Sequence, residues 1–401
     1  MVPTAPALRC PSQSNLYFNH QRHFLTVSED LQRTYSFDGE GRLLSSFLAG
    51  INYRRGLCGD ILMRHPDGAG AKVRRLLEPE ERRQLLTDVR EHLVRIRAQA
   101  RRSQSAAVCA WLDRALSWDV NRLEAEREQF QGIYKPISIL PPDQYLALVL
   151  QAAEGCSWNR CSFCTFYRDR KFRIKNAAEF RRHVQQVKTF VGRGMGLRKS
   201  IFLGDANALI IPQARLRELL QIVHEEFTIG EATGLKGIYA FLDIFGAEQK
   251  SLSDYRELRD AQVRRVYLGL ESGDETVFRL LNKPGAPATC IEAVRTLKAA
   301  GINVGIILLA GAGGARLAER HVARSLAALG AMGLGDGDLV YISPLIVPPD
   351  SPYAAQLREA GSPALDAAAI NAQLERLKAG AKAVLGSGAK ATLYHIEEFL
   401  Y

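Results

Sequence analysis

Three cysteines within nine residues carry the chemistry of this chain. Glu154 to Lys175 reads E-G-C-S-W-N-R-C-S-F-C-T-F-Y-R-D-R-K-F-R-I-K, which puts Cys156, Cys161 and Cys164 on one short loop. Thiolates are soft ligands, and clustered ones suit zinc or iron–sulfur. A structural zinc site closes with four ligands. The nearest histidine downstream is His183, and no fourth cysteine is close. Three thiolates on a four-iron cluster would leave one iron open to a small molecule. A zinc site with a distant fourth ligand and a redox C-x-x-C at Cys161 and Cys164 remain as alternatives.

The flanks say what positions that loop. Residues 145–153 are an apolar run that reads as a buried strand, and Asn176 with Glu179 opens a helix by a capping-box pattern. The cysteines therefore leave the C-terminal end of a strand, where α/β barrels and open α/β sheets place their chemistry.

From residue 144 onward, short apolar segments alternate with helical ones. The expected strands are 146–153, 200–204, 237–243, 265–270, 303–310 and 338–345. The expected helices are 177–191, 213–226, 252–261, 288–300 and 316–332, with a further helix over 365–385 and a final strand or packed tail over 391–401. Six such units with right-handed crossovers make an α/β fold, a partial parallel (β/α)6 barrel. Residues 78–101 and 106–130 have helical spacing, and 35–47 reads as a hairpin about D-G-E-G. The expected organisation is a mainly helical N-terminal region over 1–140, a core over 141–357, and a short C-terminal helix and tail over 358–401. The boundary rests on the three prolines of K-P-I-S-I-L-P-P.

The strand ends are rich in polar residues and glycine: G-D-A-N at Gly204–Asn207, Asp243, L-G-L-E-S-G at Leu268–Gly273, A-G-A-G-G at Ala310–Gly314, and Tyr341 with Ser343. Gly311 and Gly313 begin a G-x-G-x-x-G, but its sixth position is Arg316, which excludes a standard dinucleotide fingerprint.

Composition sets the outer bounds. The chain of 401 residues is 47% hydrophobic and 24% charged, as soluble proteins are. No apolar stretch is long enough for a membrane span, and Met1 to Arg22 lacks the pattern of a signal peptide. Of seven cysteines, Cys10, Cys58, Cys109 and Cys290 stand alone, which points to a reducing cytoplasm. The net charge of +10 favours an anionic partner, nucleic acid among them.

The cysteine loop, the six βα units and V-Y-L-G-L-E-S-G-D-E-T-V-F-R-L-L-N-K-P-G (Val266 to Gly285) together resemble the radical S-adenosylmethionine (radical SAM) superfamily, over about 144–357. The last stretch is similar to members related to oxygen-independent coproporphyrinogen oxidases. The resemblance implies a [4Fe–4S] cluster on Cys156, Cys161 and Cys164, S-adenosylmethionine on its open iron, and a 5′-deoxyadenosyl radical that removes hydrogen from a substrate. It implies cofactor contacts from Phe163, Gly204, Asp205, Glu271, Ser272, Leu309, Gly311, Ile342 and Ser343. It also implies an oxidoreductase served by an electron donor such as a flavodoxin or ferredoxin. Of the cations at Arg168, Arg170, Lys171, Arg173 and Lys175, Arg173 is expected to face inward. The spacing is C-x4-C-x2-C where C-x3-C-x2-C is usual, G-D-A-N stands for a G-G-E type, and the fifth strand lacks its trailing glutamate. Action on RNA or another polyanion, and a non-catalytic iron–sulfur or zinc sensor, are the rival readings.

Overall fold

In a computed structural model of the chain, which describes residues 15–30, 32–66, 72–243, 250–396 and 399–401, the first elements are strands. β1 (Leu16–His20), β2 (Phe24–Glu29), β3 (Arg33–Asp38), β4 (Leu43–Leu48), β5 (Ile51–Arg55), β6 (Ile61–Pro66) and β7 (Lys72–Leu76) pair antiparallel with their neighbours in chain order. The N-terminal region expected to be mainly helical thus begins with a seven-stranded sheet. Its strands are five or six residues long, so each shows only two or three inward apolar positions. Thr26, Ser36 and Ser45 pair across the other face, and the runs look unpatterned beside long helices. The hairpin about D-G-E-G is present: Asp38 Oδ1 accepts from the amides of Glu40 and Arg42 at 2.9 Å each.

The inner face of this sheet carries Leu25, Val27, Tyr35 and Phe37. They share a core with Leu85, Val89, Leu93 and Ile96 of α1 (Pro79–Ser103), with Leu112 of α2 (Ala106–Leu116) and with Leu123 of α3 (Val120–Ile133). The helical stretch expected over 106–130 is two helices, because Asp119 caps the second by accepting from Arg122 N.

The second fold begins with β8 (Ala147–Gln151), followed by a ribbon of β9 (Ala153–Glu154) and β10 (Arg173–Ile174), and α4 (Ala177–Val191). Then come β11 (Ser200–Gly204), α5 (Gln213–Glu226), β12 (Ile238–Phe241), α6 (Leu252–Asp260) and β13 (Val263–Glu271). α7 (Glu275–Leu280), α8 (Pro287–Ala299), β14 (Asn303–Ala310), α9 (Gly314–Ala331) and β15 (Leu339–Pro344) follow. The chain closes with α10 (Pro352–Glu359), α11 (Ala367–Leu385) and β16 (Lys390–Leu393). The sheet runs β8-β11-β12-β13-β14-β15-β16, all parallel, so the expected partial barrel is present with a seventh strand at its far edge. β8 and β11 are buried throughout, as strands covered on both faces are.

Two compact units divide the chain: residues up to Tyr134 with Lys188–Leu197 and Leu400–Tyr401, and Lys135–Val187 with Arg198–Phe399. Cys10 lies outside the described residues. Among them, no helix is long and apolar enough to cross a membrane.

Candidate active site

The cysteine loop hangs between β9 and β10, whose pairing of Glu154 with Arg173 closes its base. Within it, Asn159 adopts φ 49°. Its backbone amide points at Cys156 Sγ, 3.3 Å away, and its side chain donates to the Tyr167 carbonyl at 2.7 Å. The loop is then tied to the segment after α7. Trp158 Nε1 donates to Asn282 O at 2.9 Å, and Asn282 Nδ2 returns a bond to Arg160 O at 2.8 Å. Ser162 donates from its amide to Leu281 O and from its hydroxyl to Leu280 O.

Most of the basic run behind the loop is consumed by this architecture, while Lys171 is exposed. Arg168 donates to the carbonyls of Asn159, Cys161 and Cys164. Arg170 donates to Pro136 O at 2.7 Å and lies 3.5 Å from Asp205. Lys175 is buried against Glu154 at 2.8 Å. Arg173, expected to face inward, does not: it pairs with Glu154 and Glu179 on the surface, its side chain 47% exposed. β10 ends at Ile174, so strand alternation no longer holds Lys175 to the side of Arg173, and Lys175 turns inside as the chain leaves the strand.

All three cysteines open onto a cavity of about 400 Å³ at the C-terminal ends of the strands. Burial raises each thiol, Cys161 to about 12 and Cys164 to about 11. They therefore stand protonated until a metal displaces the proton.

Facing them is a cation held by two acids. Lys283 Nζ lies 3.2 Å from Glu271 Oε1 and 3.2 Å from Asp243 Oδ1, and all three residues line the cavity. Burial raises the Glu271 carboxyl and Lys283 opposes the rise. The two carboxylates raise the Lys283 ammonium well above its usual range despite burial. Glu271 reaches this place through a bulge between Gly269 and itself, with φ 58°. A Cβ on Gly269 would run into Glu271 Oε1 and come within 2.8 Å of Lys283 Nζ, so the pair occupies the space a side chain would fill.

The other expected residues divide. Phe163, Leu309 and Ser343 line the cavity with Glu271. Gly204 ends β11, but Asp205 turns to the loop. Its Oδ2 accepts from Gly155 N at 3.1 Å and its Oδ1 from Gln151 Nε2 at 3.3 Å, and burial raises it to about 6. Ser272 is buried with its hydroxyl 2.8 Å from His321 Nδ1 of α9. The Gly311 amide donates to Gln373 Oε1 of α11, and Ile342 is buried within β15. Lys283 was missed, although it is the only lysine of Val266–Gly285 and two rim carboxylates called for a cation.

Among the described residues no three His, Cys, Asp or Glu side chains are grouped to hold a single ion. A four-iron cluster takes one thiolate per iron and spaces its ligands more widely. Three cysteines on one loop, opening onto one cavity, fit such a group with an exchangeable position.

The model of the radical SAM superfamily matches residues 150–322. No curated protein matches the chain. Among solved structures, coproporphyrinogen III oxidase (HemN) from Escherichia coli is similar, with 14% identity over 65% of this chain and 56% of that one, at a TM-score of 0.45. The cobalamin-dependent radical enzyme OxsB is similar at 14% identity over 81% of this chain and 38% of that one, TM-score 0.40. Methylornithine synthase (PylB) is similar at 18% identity over 63% and 72%, TM-score 0.40. The match thus spans little more than half of the first of these proteins and 38% of the second.

Proposed function

We propose that this chain, whose residues 150–322 match the radical SAM superfamily, removes a hydrogen atom from a substrate held in the cavity beside Cys156, Cys161 and Cys164. When bound, the [4Fe–4S] cluster and S-adenosylmethionine supply the 5′-deoxyadenosyl radical, and the protein's part is to hold and shield them. In this reading the three cysteines are the ligands, and Arg168 keeps their loop in shape by gathering three of its carbonyls. Phe163, Leu309 and Ser343 form the walls against which the cofactor lies. Glu271, oriented by Lys283, accepts from the cofactor's hydroxyl or ammonium groups. Asp205 acts through the loop, fixing Gly155 next to the first ligand. The electron arrives from a small reduced donor such as a flavodoxin or ferredoxin.

The observation that carries the reading is the opening of all three thiols onto the cavity whose far wall is Glu271, Lys283 and Leu309. Anaerobic reconstitution followed by iron and sulfide analysis tests it, with 5′-deoxyadenosine measured after dithionite reduction. Four irons per chain and production of the nucleoside are expected. The Cys161→Ala variant is expected to lose both while keeping its circular dichroism. A chain that binds one zinc and no iron would end the proposal.

A further inference from the structure

We infer that the substrate is a largely apolar, uncharged small molecule rather than a nucleic acid or other polyanion. This rests on the proposed function and names the substrate class of the same cavity.

The chain's charge of +10 points towards an anionic substrate, but its excess cations are not at the site. Among the described residues the charged side chains in the cavity wall are Asp243, Glu271 and Lys283, and they are engaged with one another on the cysteine side. The arginines nearest in sequence are spent on carbonyls of the cysteine loop and on Pro136. A phosphate entering the cavity would meet no unpaired cation among the described residues, and burying an unpaired charge is costly.

The rest of the wall presents carbon, even where its residues are polar. Tyr267 turns its hydroxyl away to Asp143 Oδ2, 2.5 Å off, and Tyr394 donates to Leu140 O at 2.9 Å. The Tyr353 hydroxyl accepts from Gly313 N at 2.7 Å. Each ring therefore lines the cavity while its polar tip is satisfied elsewhere, alongside Phe241, Ile307 and Ile396. Ser343 and Thr165 are exceptions: among the described residues neither hydroxyl has a hydrogen-bond partner. A ligand matching this wall is mostly hydrocarbon or aromatic and carries few hydrogen-bonding groups.

The test uses the reconstituted full chain and three probes: the uncharged dye N-phenyl-1-naphthylamine, its sulfonated relative 1-anilinonaphthalene-8-sulfonate, and poly(U). One equivalent of the uncharged dye is expected to bind at least ten-fold tighter than the sulfonate. Its affinity should be unchanged between about 50 and 200 mM salt, where phosphate-dependent binding falls steeply. Ile307→Glu and Ile396→Trp should each weaken dye binding at least ten-fold. The second of these keeps the test alive if a buried glutamate prevents folding. Preference for the sulfonate, dye binding untouched by Ile396→Trp, or poly(U) that competes with the dye and weakens steeply with salt would each overturn the inference. Failure of these arms with iron content and 5′-deoxyadenosine production intact would leave the proposed function standing. Loss of iron and nucleoside would overturn the proposed function, and with it the substrate class, whatever the dye does.

Discussion

Lys283 Nζ stands 3.2 Å from Glu271 Oε1, with the lysine side chain 4% and the glutamate side chain 10% exposed. A cation this buried survives because Asp243 supplies a second carboxylate at 3.2 Å. Removing it strands two acids beside three thiols, and deleting one partner of a buried pair costs about 3–5 kcal/mol. Lys283→Met is therefore expected to lower unfolding free energy by about that amount, measured by urea denaturation of the metal-free chain. Lys283→Met with Glu271→Gln should recover a large part of the loss, because the double variant leaves one fewer unpaired charge. No recovery would show that Glu271 does not depend on Lys283.

The same pair makes a prediction at Gly269. A Cβ there collides with Glu271 Oε1, and backbone on both sides belongs to β13. Gly269→Ala should destabilise by about 1–3 kcal/mol through overpacking. Gly132 in α3 has nothing within 4 Å of the same built atom. Gly132→Ala should be neutral or stabilising by up to about 1 kcal/mol, as alanine for glycine in a helix is. Thermal melts of the two variants side by side separate crowding from a general effect of adding a methyl group.

These two positions also show what could be read from the chain. The strand ends were legible because buried parallel strands are uniform apolar runs, and Glu271 followed from the polar residue ending one of them. Lys283 was not legible, because it arrives from the turn after α7 and no periodicity links that turn to the rim. Asp205 follows the end of β11, and its carboxylate serves Gly155, since side-chain direction at a strand end depends on the neighbouring loop. The seven N-terminal strands were hidden for a different reason. Their outer face mixes Thr26, Ser28, Thr34 and Ser36, whose hydroxyls pair across strands, and no apolar run marks them.

His321 of α9 is fully buried, with Nδ1 on the Ser272 hydroxyl at 2.8 Å, and burial lowers it from 6.5 to about 4. The unfolded chain takes up a proton there as pH falls through 6.5, while the folded chain resists until about 4. Folding stability from this group is therefore full above pH 6.5, falls between 6.5 and 4, and is level below. The span is worth about 3 kcal/mol at 1.36 kcal/mol per pH unit. The difference in unfolding free energy between the wild type and His321→Asn should shrink by about that much across this window. Subtracting the curves removes the titration of Asp205 and His92, which both proteins share. A difference constant with pH would mean that His321 is not held neutral.

Asn159 lies in the stretch that lengthens the first cysteine spacing, and its φ of 49° is a conformation most side chains resist. Asparagine tolerates it, glycine adopts it freely, and a β-branched residue costs about 1–2 kcal/mol there. Asn159→Gly should keep the loop path and lose only the side-chain bond to Tyr167 O. Asn159→Val should force the turn open, swing the Asn159 amide away from Cys156 Sγ, and reduce iron content after reconstitution to well under half of the parent's. Full iron loading in the valine variant would show that the added residue is accommodated elsewhere in the loop. Loss in both variants would assign the effect to the Tyr167 bond instead of the backbone.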